Sequence, residues 1–101
     1  MSVDEIVSSV KANPFIKLTK EELDIFLACS TIIKEADTCL SDFIRILKYN
    51  DEIFVQEVSD KNEILLRKMN SLEDAEQFFK ERMDFYDRKW DGCGCKINYY
   101  E

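Results

Sequence analysis

The chain of 101 residues is 46% hydrophobic and 35% charged, which excludes the disordered class, because enough apolar surface is present to offset the entropy of ordering one domain. Its 21 acidic residues against 14 basic ones give a formal net charge of −7, which disfavours passive binding to the phosphate backbone of nucleic acids. Only two glycines and one proline are present, few for the turns of a many-stranded β fold, so the composition favours helices.

The first predicted helix begins with a capping box, in which the Ser2 hydroxyl accepts from the backbone amide of Glu5 and the Glu5 carboxylate accepts from that of Ser2. Apolar residues then recur at i, i+3, i+4 and i+7, which is one stripe of a helix over residues 3–12. Pro14 ends this helix, because proline disfavours the helical conformation of the residue before it.

The second predicted helix is the longest, and it begins with another capping box, formed by Thr19 and Glu22. Its apolar residues follow steps of three and four over three heptads: Phe26, Cys29, Ile33, Ala36, Leu40, Phe43 and Leu47. Further apolar residues widen this stripe on one flank. The pattern predicts an unbroken helix over residues 20–48, either central to a helical bundle or part of an oligomer interface.

The third segment, residues 51–70, follows a turn at Asn50 and admits two interpretations. Apolar residues at helical spacing favour a helix over the whole segment. The β-branched and apolar residues at 53–58 favour instead a short strand, with a helix only from Ser59 onward. The sequence leaves both open.

The last predicted helix begins at Ser71 and ends at Gly92, which suits the left-handed conformation wanted after a helix C-terminus. In the tail, residues 92–101, the run from Lys96 to Tyr100 has a strand-like composition and could pair as a strand. The elements together predict an all-α fold: a compact three- to four-helix bundle in a single domain, with a short C-terminal tail.

The four cysteines raise the question of a thiol or metal site. Cys29 and Cys39 would lie about 15 Å apart along the predicted central helix, too far to share one metal ion, so core packing is expected for both. Cys93 and Cys95 flank a glycine after a helix end. Three interpretations of this pair stay open: a plain structural tail, an intersubunit or partner contact, and a redox or metal-binding dithiol whose four ligands would be completed across a dimer.

Residues for catalysis are scarce. The absence of histidine excludes catalytic triads and His-bearing zinc sites, and no Gly-rich phosphate loop is present. Carboxylate pairs at i,i+3 occur at Glu57 and Asp60 and at Glu81 and Asp84, the spacing by which helical pyrophosphatases hold magnesium. Because so acidic a chain contains such pairs by chance, a solvated face is the favoured interpretation. We expect no cofactor and no enzymatic activity, with a magnesium-dependent nucleotide hydrolase as a minor hypothesis.

The favoured hypothesis is a non-enzymatic adaptor or inhibitor that binds another protein. Acidic residues of the last helix would meet a basic surface of the partner, and aromatic residues, which are enriched at interface centres, would complete the contact. The predicted interaction residues are Asp74, Glu81, Asp84, Asp87, Phe78, Phe85, Trp90, Tyr99 and Tyr100. Small inhibitors from phages and mobile elements, including anti-CRISPR and DNA-mimic proteins, share this size and charge.

The sequence also predicts location and assembly. Without a long apolar run or a basic leader followed by an apolar stretch, we expect no membrane insertion and a cytoplasmic protein, in which thiols stay reduced. The broad stripe of the central helix predicts a homodimer. The alternative function is a thiol-based metal-binding or redox protein that uses Cys93 and Cys95.

Overall fold

The computed structural model describes residues 2–37, 43–58, 63–89 and 96–99, with the backbone alone at 37, 43, 85–89 and 96–99. It shows an α/β fold built on an antiparallel sheet, so the prediction of an all-α helical bundle is wrong. In chain order the elements are α1 (Val3–Lys11), β1 (Ile16–Leu18), α2 (Lys20–Cys29), β2 (Thr31–Asp37), β3 (Phe43–Tyr49), β4 (Glu52–Val58), β5 (Ile64–Met69), α3 (Leu72–Lys89) and β6 (Lys96–Tyr99).

The sheet has six strands in the order β1-β5-β4-β3-β2-β6, and each neighbouring pair is antiparallel. Strands β2 to β5 form a meander in which chain neighbours are also sheet neighbours. The short strands β1 and β6 add one edge each. The strand-like composition of the tail is therefore confirmed for Lys96–Tyr99, which pairs with β2.

The two faces of the sheet carry separate cores. On one face, α1 and α2 cover Leu47, Phe54 and Leu66, and on the other α3 covers apolar side chains of β2, β3 and β4. Successive residues of a strand point to opposite faces, so a strand that is covered on both sides carries apolar residues at consecutive positions rather than at every second one. This explains β3, in which Ile46 faces α3 while Leu47 faces α1 and α2.

The unbroken central helix predicted over residues 20–48 does not form. Helix α2 begins at the predicted capping box, with the Glu22 amide donating to Thr19 Oγ1 at 3.1 Å, but it ends at Cys29. The chain then continues into β2 and, after residues outside the described range, into β3. The apolar residues at steps of three and four are also the two apolar faces of these strands, which local spacing does not distinguish from a wide helical stripe.

The third segment is strand rather than helix. The interpretation of 53–58 as a short strand is confirmed by β4. The helix that this interpretation expected from Ser59 onward is wrong for residues 64–69, which form β5. Asn50 and Asp51 join β3 to β4 with positive φ angles of 48° and 63°. Two consecutive left-handed residues between paired strand ends form the tight hairpin turn that matches the twist of the strands.

The starts of α1 and α3 agree with the helix starts predicted from the sequence. Both hydrogen bonds of the Ser2 capping box are present, and the Asp74 amide donates to Ser71 Oγ at 3.1 Å at the start of α3. Helix α1 ends at Lys11, one residue before its predicted end. The predicted helix end at Gly92 lies outside the described residues.

Candidate functional site

Helix α3 is the element to which most predicted interaction residues belong. Its inner side is apolar: Ala75, Phe79 and Met83 are buried against the sheet. Of the neighbouring phenylalanines, Phe79 turns toward β2, and Phe78 turns toward β5. The helix is therefore held on the sheet by one apolar stripe, and its opposite side is left to solvent.

The solvent side of α3 carries a row of carboxylates, which we call the acidic ridge: Glu73, Asp74, Glu81 and Asp84. All four residues are exposed. Asp74 and Glu81 are two helical turns apart, so their carboxylates lie on one side of the helix. Three of the predicted acidic interaction residues, Asp74, Glu81 and Asp84, thus lie on the exposed side of α3, and their part in binding stays a prediction.

A buried ion cluster lies beneath α3. Glu57, on β4, is fully buried and accepts from Arg67 Nη1 at 2.5 Å and from Arg82 Nε at 3.0 Å. Arg82 belongs to α3 and extends inward to this carboxylate. Because burying a charge costs free energy unless it is paired, the two guanidinium groups are what makes a carboxylate tolerable at this position.

The Arg67 guanidinium also contacts two aromatic rings. Its central carbon is 5.4 Å from the ring centroid of Phe15 and 5.0 Å from that of Phe78. Phe78 was predicted as an interaction residue, but its ring is partly buried and packs against both the core and this guanidinium. Its predicted part in binding a partner stays a prediction.

A cleft of about 480 Å³ lies between α3 and β2. Phe79 and Met83 form its apolar floor, and the remaining lining side chains are polar: Lys34, Glu76, Gln77, Lys80 and Asp84. The volume is within the range of sites that hold small molecules or single side chains. The cleft shares Asp84 with the acidic ridge and runs along its β2 side.

Among the described residues, Lys34 is the one that β2 contributes to the lining of the cleft. Its Nζ lies 2.8 Å from Glu76 Oε2 and 4.8 Å from the centroid of the Phe79 ring, and its side chain is only 12% exposed. A bulge in β2 aims it there, since the pairing register shifts between Ile32 and Lys34 and the extra residue lets Ile33 and Lys34 both face α3.

The other face of the sheet has a polar row of its own. Arg45 donates from Nε to Glu35 Oε2 and from Nη1 to Gln56 Oε1, each at 2.6 Å. Gln56 is fully buried, and its Nε2 has no hydrogen-bond partner in the described part of the chain. Because an arginine side chain only donates hydrogen bonds, Arg45 requires the Gln56 side chain to turn its oxygen, and not its nitrogen, toward the guanidinium group.

One titratable group has a clear shift. The Tyr49 phenol donates to Asp4 Oδ1 at 3.1 Å, and this hydrogen bond, with desolvation and the negative charge of Asp4, raises the pKa of Tyr49 above its ordinary value of 10.0. The contact links β3 to the start of α1. It lies on the opposite side of the sheet from the cleft.

The remaining predicted site residues fall where side chains are not described. These are Phe85, Asp87 and Tyr99, described by backbone alone, and Trp90, Cys93, Cys95 and Tyr100, outside the described residues. Their predicted contacts stay predictions. Cys29 is described, and it is a free and exposed thiol at the end of α2, so its predicted core packing is wrong. Within the described ranges no group of three or more His, Cys, Asp and Glu residues is placed to hold a metal ion.

Sequence reasoning missed Lys34 and the Glu57 cluster. Lys34 was one polar residue in a predicted helix, and no local signal marks the bulge that directs it to the cleft. Glu57 was considered only as half of an i,i+3 carboxylate pair with Asp60, whereas it lies on a strand. Its strand neighbours Val55 and Phe54 are both buried, and a charged residue in such a run was the available signal for a buried ion cluster.

Comparison with known proteins gives no family: no family model, no curated protein and no solved structure matches this chain. None of the helices among the described residues has the length and apolar character needed to cross a membrane.

Proposed function

We propose that the protein acts without catalysis, by binding a basic surface of another protein through the acidic ridge of α3. The observation that supports this proposal is the exposure of four carboxylates, against the one exposed cation Lys80 among the described residues of α3, along the solvent side of the helix. The ridge is mounted on a helix packed along the sheet, so its charges have a fixed spacing before a partner arrives. Fixed charge patterns favour fast and selective encounter more than raw affinity.

A protein partner fits this charge better than a nucleic acid does. The formal net charge of −7 repels a phosphate backbone, whereas a cluster of Lys and Arg is attracted to it. Basic grooves that normally receive nucleic acid are one class of such surface, in keeping with the compositional likeness to DNA-mimic inhibitors. The proposal includes a cytoplasmic location, where such a partner would be met.

The enzymatic alternative gains no support from the geometry. Glu57, one of its candidate magnesium ligands, has both carboxylate oxygens engaged by guanidinium groups. Glu81 and Asp84 lie on the solvent side of α3, as expected for a solvated face. The alternative based on Cys93 and Cys95 stays a prediction, since both residues lie outside the described ones.

The homodimer also stays a prediction, and its original motivation has changed. The broad apolar stripe that indicated an oligomer interface includes Ala36 and Leu47, which are buried within the two cores of a single chain. A second copy is therefore not needed to cover them.

The test compares two charge-reversal variants that change the net charge equally. Glu81→Lys with Asp84→Lys removes half of the ridge, whereas Glu21→Lys with Asp24→Lys changes an i,i+3 pair on exposed positions of α2. Each tagged protein is used to capture partners from cells of its source, and a captured protein is then purified and titrated against all three forms at several salt concentrations.

We expect a basic partner that binds the wild type and the α2 variant alike and binds the ridge variant at least about ten-fold more weakly, with an affinity that falls as salt screens the charges. Equal binding to all three forms, or binding insensitive to salt, would show that the acidic ridge is not the docking surface.

A further inference from the structure

We propose that the polar row of Glu35, Arg45 and Gln56 selects the bulged form of β2, and thereby places Lys34, rather than Glu35, against helix α3. The row takes one residue from each of three neighbouring strands, and Arg45 lies directly opposite both Glu35 and Gln56 in the sheet register. Gln56 is fully buried, and the Arg45 and Glu35 side chains are only 13% and 17% exposed.

A second register, without the bulge, is open to β2. Before the bulge, Ile32 pairs with Leu47, and continuing that ladder without a shift would place Lys34 opposite Arg45. The observed ladder shifts by one residue, so that Glu35 instead lies opposite Arg45. Because successive residues of a strand point to opposite faces, this shift exchanges the faces of Lys34 and Glu35.

Apolar packing distinguishes the two registers only weakly. Without the bulge, Ile33 would lie opposite Ile46 and would still face α3. Ala36 would leave its buried position beneath α3 for the other face of the sheet. Its side chain is a single methyl group, so little apolar surface depends on this change. The choice between the registers therefore falls to the charged residues.

The charges favour the bulged register on both faces of the sheet. In this register Glu35 Oε2 accepts from Arg45 Nε at 2.6 Å, and Lys34 Nζ lies 2.8 Å from Glu76 Oε2. Without the bulge, Lys34 and Arg45 would be opposed on a largely buried face, and Glu35 would lie opposite the fully buried Ile44. Like charges directly opposite each other repel, and a buried charge without a partner costs free energy.

Gln56 holds Arg45 in place as the reference for β2. Its Oε1 accepts from Arg45 Nη1 at 2.6 Å, and the tight turn at Asn50 and Asp51 fixes the register of β3 with β4. Gln56 Nε2 has no hydrogen-bond partner in the described part of the chain, although the residue is fully buried. Because a buried donor without a partner lowers stability, this amide fits a role in specifying the register better than a role in stabilising the fold.

The test exchanges the two charged residues of β2 without changing the composition or the net charge. In the variant Lys34→Glu with Glu35→Lys, the bulged register would oppose a lysine to Arg45, whereas the regular register would oppose a glutamate to it. We expect nuclear magnetic resonance spectra to show backbone Overhauser contacts between positions 34 and 45, in place of the contacts between positions 35 and 45 in the wild type. The control, Lys17→Glu with Glu63→Lys, reverses an ion pair outside β2 and should keep the wild-type contacts.

A third variant adds Arg45→Glu to the exchange. It should restore the bulge and the contacts between positions 35 and 45, because the new carboxylate attracts the lysine at position 35. If the exchange alone prevents folding, this variant decides: contacts between positions 35 and 45 support the proposal, and their absence overturns it. Contacts between positions 35 and 45 in a folded exchange variant would show that apolar packing sets the bulge, and would overturn the proposal as well.

Discussion

Glu57 is the residue whose replacement should reveal most about what holds α3 on the sheet. The substitution Glu57→Gln keeps the volume of the side chain and one oxygen acceptor, but it removes the negative charge and turns an amide donor toward a guanidinium group. The two arginines that it leaves, Arg67 and Arg82, come from β5 and α3. The change therefore tests the charge itself.

The expected loss of stability follows from burial. Removing one partner of a buried charge pair costs about 3–5 kcal/mol, because the charge that remains is not compensated. Arg67 and Arg82 are 21% and 29% exposed, so water relieves part of this penalty. We therefore expect a loss of about 3 kcal/mol, the lower end of that range, which is a large fraction of the 5–15 kcal/mol typical of a domain.

The assay is urea denaturation, with thermal denaturation as a second measurement. The midpoint temperature should fall by roughly 12–24 °C, at 4–8 °C for each kcal/mol in a domain of this size. The matched control is Glu63→Gln, which removes a carboxylate from a partly exposed ion pair, 33% exposed at Glu63 and 66% at Lys17, and should cost less than about 1 kcal/mol.

Two results would refute this reasoning. One is a loss for Glu57→Gln as small as that for Glu63→Gln. The other concerns the triple variant Glu57→Leu, Arg67→Met and Arg82→Met, which replaces every charge of the cluster by an apolar group. If uncompensated charge is the cause, this variant regains most of the lost stability, whereas a loss larger than that of Glu57→Gln would show that packing dominates.

Three further predictions concern the α2 cap, the hairpin turn and the contact between Tyr49 and Asp4. Thr19→Ala removes one bond of the α2 capping box and should lower the free energy of unfolding by about 1 kcal/mol in urea denaturation. Asp51→Gly should raise the free energy of unfolding by about 0.5–1 kcal/mol in the same assay, because Asp51 has a φ of 63°, a left-handed conformation that glycine adopts without a steric penalty. Asp51→Val should lower the free energy of unfolding, because a side chain branched at Cβ disfavours that conformation. Because the pKa of the Tyr49 phenol is raised in the folded chain, the unfolded chain loses the phenol proton at a lower pH than the folded chain does. The stability from the contact with Asp4 is therefore intact below pH 10.0 and is lost as the pH rises through the raised pKa. Tyr49→Phe should remove this pH-dependent loss of stability from the alkaline unfolding curve.

Local signals in the sequence predicted the starts of the helices well. A capping box is a short-range interaction, complete within four residues, so Ser2 and Thr19 identify the starts of α1 and α2 without knowledge of the rest of the chain. The start of α3 at Ser71 was predicted for the same reason. The Asn50 turn was also found, although its two left-handed residues were not recognised as a hairpin.

The strands were not predictable in the same way. Ile44, Ile46 and Leu47 are buried because helices cover both faces of β3, and their spacing satisfies a helix as well as a strand. What separates the two is pairing with β2 and β4, which depends on residues elsewhere in the chain. The β-branched run at Thr31–Asp37 was the local hint that the long helix should have been questioned.

The candidate site likewise has a part that local sequence patterns predict and a part that depends on distant residues. The acidic ridge follows from helical periodicity alone, so the sequence is enough to place Asp74, Glu81 and Asp84 on one side of α3. The cleft needs Lys34 from β2, forty-two residues from its partner Glu76, and a bulge that only the sheet register reveals. No single sequence contains that information in local form.

The pairing of β6 with β2 gives the nascent chain a particular hazard. Ala36 pairs with Ile97, so one edge of β2 has to wait until the chain as far as β6 has left the ribosome. Until then its backbone donors and acceptors can pair with any extended segment, including the same strand of a neighbouring nascent chain. Synthesis speed and chaperone access should therefore affect the yield of this protein more than that of a helical bundle of equal length.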